Sequence, residues 1–153
     1  FRRPEFIEDV LAVLDASGLP PELLELEVTE GVLLSGIDKA ISMLKNLREL
    51  GVKVAIDDFG TGFSSLSYLR QLPITKVKLD RSFITDVTTD RGSAAIVQGV
   101  ITMAHHLGLW VVAEGIETVE QQNYLAASDC DLLQGFLYSR PVPLGEFALG
   151  LEY

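Results

Sequence analysis

The chain reads as an α/β protein, a TIM-type (β/α)8 barrel of which it carries about the last five βα units. Three observations predict this. First, strand-like apolar runs alternate with helical stretches, the pattern of parallel βα units. Second, every strand delivers ionisable or strongly polar groups at its carboxyl end: Glu27 and Glu30, Asp57 and Asp58, Lys78 and Asp80, Glu114 and Glu117, then Gln134 in the fifth. A doubly wound sheet gathers its site at one switch point, so only some strands would do this, whereas the strand ends of a barrel all meet on one rim. Third, a closed barrel takes eight strands and about 250 residues, and 153 residues with five strands fall three units short. Residues 1–153 therefore read as one partial domain, without linker or low-complexity segment.

The elements come in order along the chain. Phe6, Val10, Leu11 and Leu14 recur at helical spacing, and Gly18-Leu19-Pro20-Pro21 stops that helix. Leu23–Val28 is a strand. Ile37–Leu50 is an amphipathic helix with Ile41, Leu44, Leu47 and Leu50 on one side and Gly51 as its stop. Val52–Ile56 is a strand, Ser64–Leu72 a short helix ending before Pro73, and Val77–Leu79 a strand. Ala94–Leu107 is a helix closed by Gly108. Trp110–Ala113 is a strand, with Trp110 assigned to the core. Val119–Ala127 is a helix, Leu132–Leu137 the last strand, and Pro143 opens a terminal helix.

Composition narrows the class. Twenty-two acids against twelve bases give a net charge of −10, which argues against a nucleic-acid polymer as partner, since such binding needs basic patches. A small anion held through metal ions stays open. No apolar stretch reaches the roughly 18 residues that span a bilayer. The single Cys130 forms no internal disulfide, reads as a small buried hydrophobe, and suits a reducing cytoplasm. The start at Phe1-Arg2-Arg3-Pro4 shows neither an initiating Met nor a signal peptide, so the chain reads as a piece of something longer.

The rim carries the chemistry. An isolated acid is most often solvated charge or a helix cap, and Glu117 and Glu120 suit the first turn of a helix by its dipole alone. Convergence changes that reading. Glu27, Asp57, Asp58 and Glu114 place four carboxylates on one rim, a cluster that needs a divalent cation, and hard oxygen ligands suit Mg²⁺ or Mn²⁺. Adjacent strand residues point to opposite sides, so Asp57 and Asp58 can address two metals, and two metals about 3.5–4 Å apart clamp a phosphodiester for in-line attack. In the alternating run Lys76-Val77-Lys78-Leu79-Asp80, Lys78 and Asp80 share a face, and Lys78 can orient or help deprotonate the attacking water. The loop Gly60-Thr61-Gly62-Phe63-Ser64-Ser65 lacks the Lys of a phosphate loop; it reads as a hinged rim loop, with Ser64 or Ser65 capping the next helix. His105 and His106 fall at the far end of their unit from the rim and are given no metal role.

Together these motifs resemble the EAL domain, the cyclic di-GMP phosphodiesterase family. "LELEVTEG" is similar to its Glu-x-Thr-Glu strand and "AIDDFGTGFSSLSYLRQLP" to its Asp-Asp-Phe-Gly loop. "KVKLDRSFI", "VVAEGIETVEQ" and "LLQGFLYSRPVP" match in order and spacing, nearly end to end. The resemblance implies Glu27 and Asp57 on one metal, with Asp57 bridging to a second held by Asp58. It implies Lys78 on the catalytic water, Glu114 at the metals directly or through water, and Gln134 positioning water or substrate. It makes Glu30 the anchor of the Asp-Asp-Phe-Gly loop, whose order controls activity and dimerisation, and carries Asp80 and Glu117 over more weakly. The implied reaction opens cyclic di-GMP to linear pGpG. A homodimer or other self-association is expected, as are GGDEF or sensory domains elsewhere in the parent chain, which would also supply any membrane anchor.

The Glu-Ala-Leu signature and the Asn of the following strand, both metal ligands in the family, are absent and are expected before Phe1. The expectation is an active-type parent and an inactive isolated piece. The main alternative is a receptor that binds cyclic di-GMP without cleaving it. An enolase-type barrel is disfavoured because its Lys-x-Lys strand would precede the metal acids, and a phospho-receiver because two strands come after Lys78.

Overall fold

The computed structural model describes residues 5–34, 36–60 and 69–149. Helix α1 spans Phe6–Ser17 and ends where Gly18 takes a left-handed φ of 66° and donates its N–H to the Leu14 carbonyl. A 3₁₀ turn at Pro21–Leu23 leads into strand β1, Glu25–Thr29. The proline occupies a first-turn position that has no N–H partner to lose, and the strand starts two residues later than its apolar run. Helix α2, Glu30–Leu34, carries no apolar period in the sequence; α3, Ile37–Glu49, does, and buries Ala40, Leu44 and Leu47.

Strand β2, Lys53–Phe59, runs three residues beyond the apolar run and takes in Asp57 and Asp58. Most of the helix expected over Ser64–Leu72 lies outside the described residues, as do Gly62, Ser64 and Ser65. Strand β3 is Lys76–Leu79, followed by a five-residue helix α4, Arg81–Thr85, capped by Asp80. Helix α5, Arg91–His106, starts three residues early because the Asp90 carboxylate accepts from Ser93 N. Strand β4, Trp110–Ala113, and helix α6, Val119–Ala127, fall where expected.

Strand β5 is only Leu132–Leu133, a correction to the strand expected over Leu132–Leu137. Gln134 comes next. The chain then turns, with Tyr138 N donating to Gly135 O, because Leu137 N is spent on the Ile116 carbonyl and not on a strand partner. Helix α7, Leu144–Leu149, begins directly after Pro143.

The five strands form one parallel sheet in the order β1-β2-β3-β4-β5. Among the described residues the order has no reversal and so no switch point: all carboxyl ends leave the sheet at the same edge. Val54, Ile56, Val77, Leu79, Val111 and Ala113 point to the helix side and join Leu44, Leu47, Val97 and Ile101 in the core. The alternate positions line the other face, where Lys76 pairs with Glu25 at 2.8 Å. Trp110 belongs to that second face and is 55% exposed, so its assignment to the core is overturned. Register explains it: Trp110 stands opposite Lys76, not opposite the helix-facing Val77. Among the described residues no helix is long and apolar enough to cross a membrane.

Candidate active site

Lys78 stands at the centre of the rim. Its place in β3 puts it on the face away from the core helices, and its side chain is 7% exposed. Its Nζ lies 2.7 Å from Glu27 Oε2, 3.1 Å from Asp57 Oδ1 and 2.7 Å from Glu114 Oε1. The parallel register makes this meeting possible. Glu27 aligns with Ala55, and Ala55 with Lys76; Lys78 aligns with Val112, two residues before Glu114. Side chains two apart on a strand share a face, so all four groups arrive on one side.

Burial pulls the Lys78 ammonium toward neutrality, but the bonds it donates to Glu114 and Glu27 and the adjacent Asp57 carboxylate outweigh it and hold the group well above the ordinary lysine range. Lys78 is therefore a charged donor here. A charged donor at this place can orient a water at the rim.

Asp57 and Asp58 sit in a β-bulge. Ile56 aligns with Val77 and Phe59 with Leu79, so β2 spends one more residue than β3 over this span. Asp58 takes up the excess with a left-handed φ of 54°, a conformation that Asp tolerates better than most residues. The bulge re-aims side chains at the strand end, so the two acids are both half-buried instead of alternating as regular strand residues.

The other expected residues divide into those that hold the rim and those that line it. Glu30 is 7% exposed, and its Oε2 accepts from Gly60 N at 3.3 Å. Gly60 has φ +95°, and a Cβ there would come within 2.9 Å of the Phe83 ring, so only glycine meets both demands. Asp80 is committed to α4: its carboxylate accepts from Ser82 N at 2.9 Å, and the Ser82 hydroxyl, followed by that N–H, holds its pKa below the usual carboxylate range. Glu117 pairs with Arg81 at 2.9 Å on the surface. Gln134 lies beside the rim, its N–H on Ala113 O and its carbonyl on Ile116 N. Its side chain lines an open cavity of about 450 Å³ with Phe136, Tyr138, Arg140 and Phe147.

His105 pairs with Asp131 at 2.9 Å and takes no part in the rim. Cys130 is packed against the Val111 and Leu132 carbonyls, and burial pushes its thiol up to about 11, leaving it protonated and inert. Two residues of the rim's frame escape sequence reasoning, Arg81 and Gln121. The signal for Gln121 is present: Thr118-x-x-Gln121 has capping-box spacing, and the structure forms that box.

The donor set fits a divalent cation in chemistry. Three carboxylates against one ammonium leave two negative charges uncompensated, and Asp57 Oδ1 is buried without an aligned hydrogen bond although Nζ is 3.1 Å away. Among the described residues, no three acids, histidines or cysteines are grouped closely enough to hold a metal ion by themselves. The rim thus presents part of a hard-oxygen site, with Lys78 at its focus.

Comparison with known proteins agrees with the geometry. The family model described as EAL domain matches residues 1–141. The cyclic di-GMP phosphodiesterase NbdA of Pseudomonas aeruginosa is 50% identical over 142 residues, which are 93% of this chain and 18% of that protein. The solved PaMucR phosphodiesterase, a c-di-GMP complex, superposes with a TM-score of 0.92 at 40% identity, over 95% of this chain and 59% of that one. BlrP1 of Klebsiella pneumoniae, solved at pH 9.0 as a manganese/cy-diGMP complex, gives 0.85 at 39% identity, over 92% of this chain and 36% of that one. The chain spans about a fifth of the length of the curated relatives it matches.

Proposed function

The chain belongs to the EAL domain family, and from that premise we propose that the protein carrying it is a metal-dependent phosphodiesterase converting cyclic di-GMP to linear pGpG. The observation that supports this most is the convergence of Glu27, Asp57 and Glu114 on the buried Lys78. Mg²⁺ or Mn²⁺ suits these hard oxygen donors. Glu27 and Asp57 would hold one ion, and Asp57 and Asp58 would serve a second. Bound there, the ions supply positive charge to the phosphodiester and acidify a water.

The chain's own groups account for the rest. Lys78 donates to the water and orients it. Glu114, 2.7 Å from Lys78, is read as the carboxylate that accepts the proton. The water oxygen bonds to phosphorus, the P–O3′ bond breaks, and the departing O3′ takes up a proton, which leaves pGpG. Glu30 keeps the end of β2 in place through Gly60, and Gln134 positions water or substrate from the cavity side. Homodimerisation, companion GGDEF or sensory domains and a cytoplasmic setting belong to the same reading.

The test is hydrolysis of labelled cyclic di-GMP by the full-length protein with Mg²⁺ or Mn²⁺. Asp58→Asn lowers turnover by orders of magnitude, because the second ion loses a charged ligand. Undiminished turnover in that folded variant refutes the two-metal mechanism. Tight binding of cyclic di-GMP without cleavage by the wild type refutes the enzyme reading in favour of a receptor.

A further inference from the structure

We propose that Gln121 is a positioning residue that sets the place of Glu114 at the rim, an inference that rests on the phosphodiesterase reading for what Glu114 does there. Gln121 is 7% exposed, and its side chain is bonded at both ends. Its Oε1 accepts from Glu117 N at 2.8 Å and Thr118 N at 3.1 Å. Its Nε2 donates to Ile84 O at 3.2 Å and Thr85 O at 3.3 Å. The acceptor side thus grips the loop that carries Glu114. The donor side grips the last carbonyls of α4, where Ile84 O also accepts from Val87 N at 3.3 Å.

This bridge closes a ring. From Lys78 the chain passes through Asp80, whose carboxylate starts α4. Helix α4 ends on Gln121. Gln121 holds residues 117 and 118, and three residues back Glu114 returns to Lys78 at 2.7 Å. The loop has little freedom inside the ring. Gly115 has φ +71°, and a Cβ there would run into the Arg81 side chain; Ile116 lies with its backbone hard against Gly135. Ile116 N donates to Gln134 O and Leu137 N to Ile116 O. Each of these contacts limits translation of the loop. Gln121 ties it to the segment that leaves Lys78, so it fixes the distance between the two charged partners.

Capping explains only part of this geometry. A capping box needs the Thr118 and Gln121 contacts with the loop, and it needs neither full burial nor the two bonds to α4. Those two bonds distinguish a residue that starts α6 from one that joins two loops of the rim. Partners that orient metal-site groups typically matter by about 10–100-fold in metal affinity or activity.

The experiment uses the full-length protein with Gln121→Met, which keeps the volume and removes these side-chain bonds, and Gln121→Glu, which keeps the acceptors and removes the donors. Tyr124→Phe serves as control, because Tyr124 Oη ties the same helix to Ala94 O away from the rim. Expected for both Gln121 variants is faster amide exchange over residues 114–118, Mn²⁺ affinity weaker by about tenfold or more by electron paramagnetic resonance, and lower kcat at nearly unchanged KM. Tyr124→Phe lowers thermal stability and leaves Mn²⁺ affinity unchanged. Wild-type Mn²⁺ affinity in both Gln121 variants overturns the proposal, as does a fall in Tm with intact kcat. Failure of both variants to fold overturns it too, since Gln121 would then belong to the core rather than to the rim. If the wild type binds Mn²⁺ but does not cleave cyclic di-GMP, the functional reading fails, and Mn²⁺ affinity with amide exchange still decides the role of Gln121.

Discussion

At Lys78, burial and pairing act on one ammonium in opposite directions, and pairing wins. The cost of that arrangement falls on the carboxylates if the cation is removed. Lys78→Met leaves Glu27, Asp57 and Glu114 facing one another without compensation, and breaking a buried ion pair by removing one partner costs about 3 kcal/mol; the exposure of Glu27, 47% at its side chain, reduces this. The metal-free variant therefore melts below wild type. Mg²⁺ then raises its Tm more than it raises that of wild type, since the ion takes over the missing charge. Differential scanning fluorimetry with and without Mg²⁺ checks this, and equal metal-induced shifts would contradict it. The sequence shows much of this rim because each strand delivers an acid or a lysine at its carboxyl end, and parallel strands bring those ends to one edge. It does not show the bulge that places Asp58, because a left-handed Asp carries no period. Nor does it show that Lys78 stays charged, which depends on three distances.

The short elements are where sequence and structure part. Helix α4 has five residues, too few to be stable alone, and no apolar period marks it. It exists because Asp80 caps one end and Gln121 takes the carbonyls of the other. The strand expected beyond Leu133 fails for a similar reason: its backbone is claimed by Ile116 across a glycine. By contrast α6 and β4 are legible to the residue, since Thr118, an apolar run and a flanking Gly108 mark their ends. Removing the cap tests the account of α4. Asp80→Ala costs about 1 kcal/mol, whereas Asp80→Asn retains most of the cap. The folded-state pKa of Asp80 is depressed below its ordinary 3.8. Its contribution is therefore complete above that value and is lost as pH falls through the lower, folded-state value. The stability gap between wild type and Asp80→Ala, measured by urea titration, should narrow only below about pH 4, whereas the gap between Asp80→Asn and Asp80→Ala should stay constant, since neither of those residues titrates. A gap that is constant down to the acid limit would assign the cap no charge contribution.

For the whole molecule, the order β1-β2-β3-β4-β5 is foreseeable because each unit repeats the same strand–helix pattern, and adjacent units pair. That order leaves a sheet with two outer strands, β1 and β5, and one face turned away from the helices. Among the described residues these outer strands pair with a strand on one side only, which is the usual route to edge-to-edge pairing. The second face carries Trp110 at 55% and Leu132 at 38% exposure. Register places them together: Leu132 stands opposite Val112, which shares its face with Trp110. Apolar side chains grouped on an exposed face seek a partner surface, and the 153-residue chain on its own is expected to self-associate through this side. Sedimentation velocity should give a weight-average coefficient that rises with concentration. Trp110→Lys combined with Leu132→Lys should flatten that rise without unfolding the chain, because neither side chain belongs to the core. If the wild-type chain sediments as a monomer at every concentration, the exposed face and the two outer strands do not drive association. If the double variant associates as the wild type does, the contact runs through the strand edges or the helix side instead.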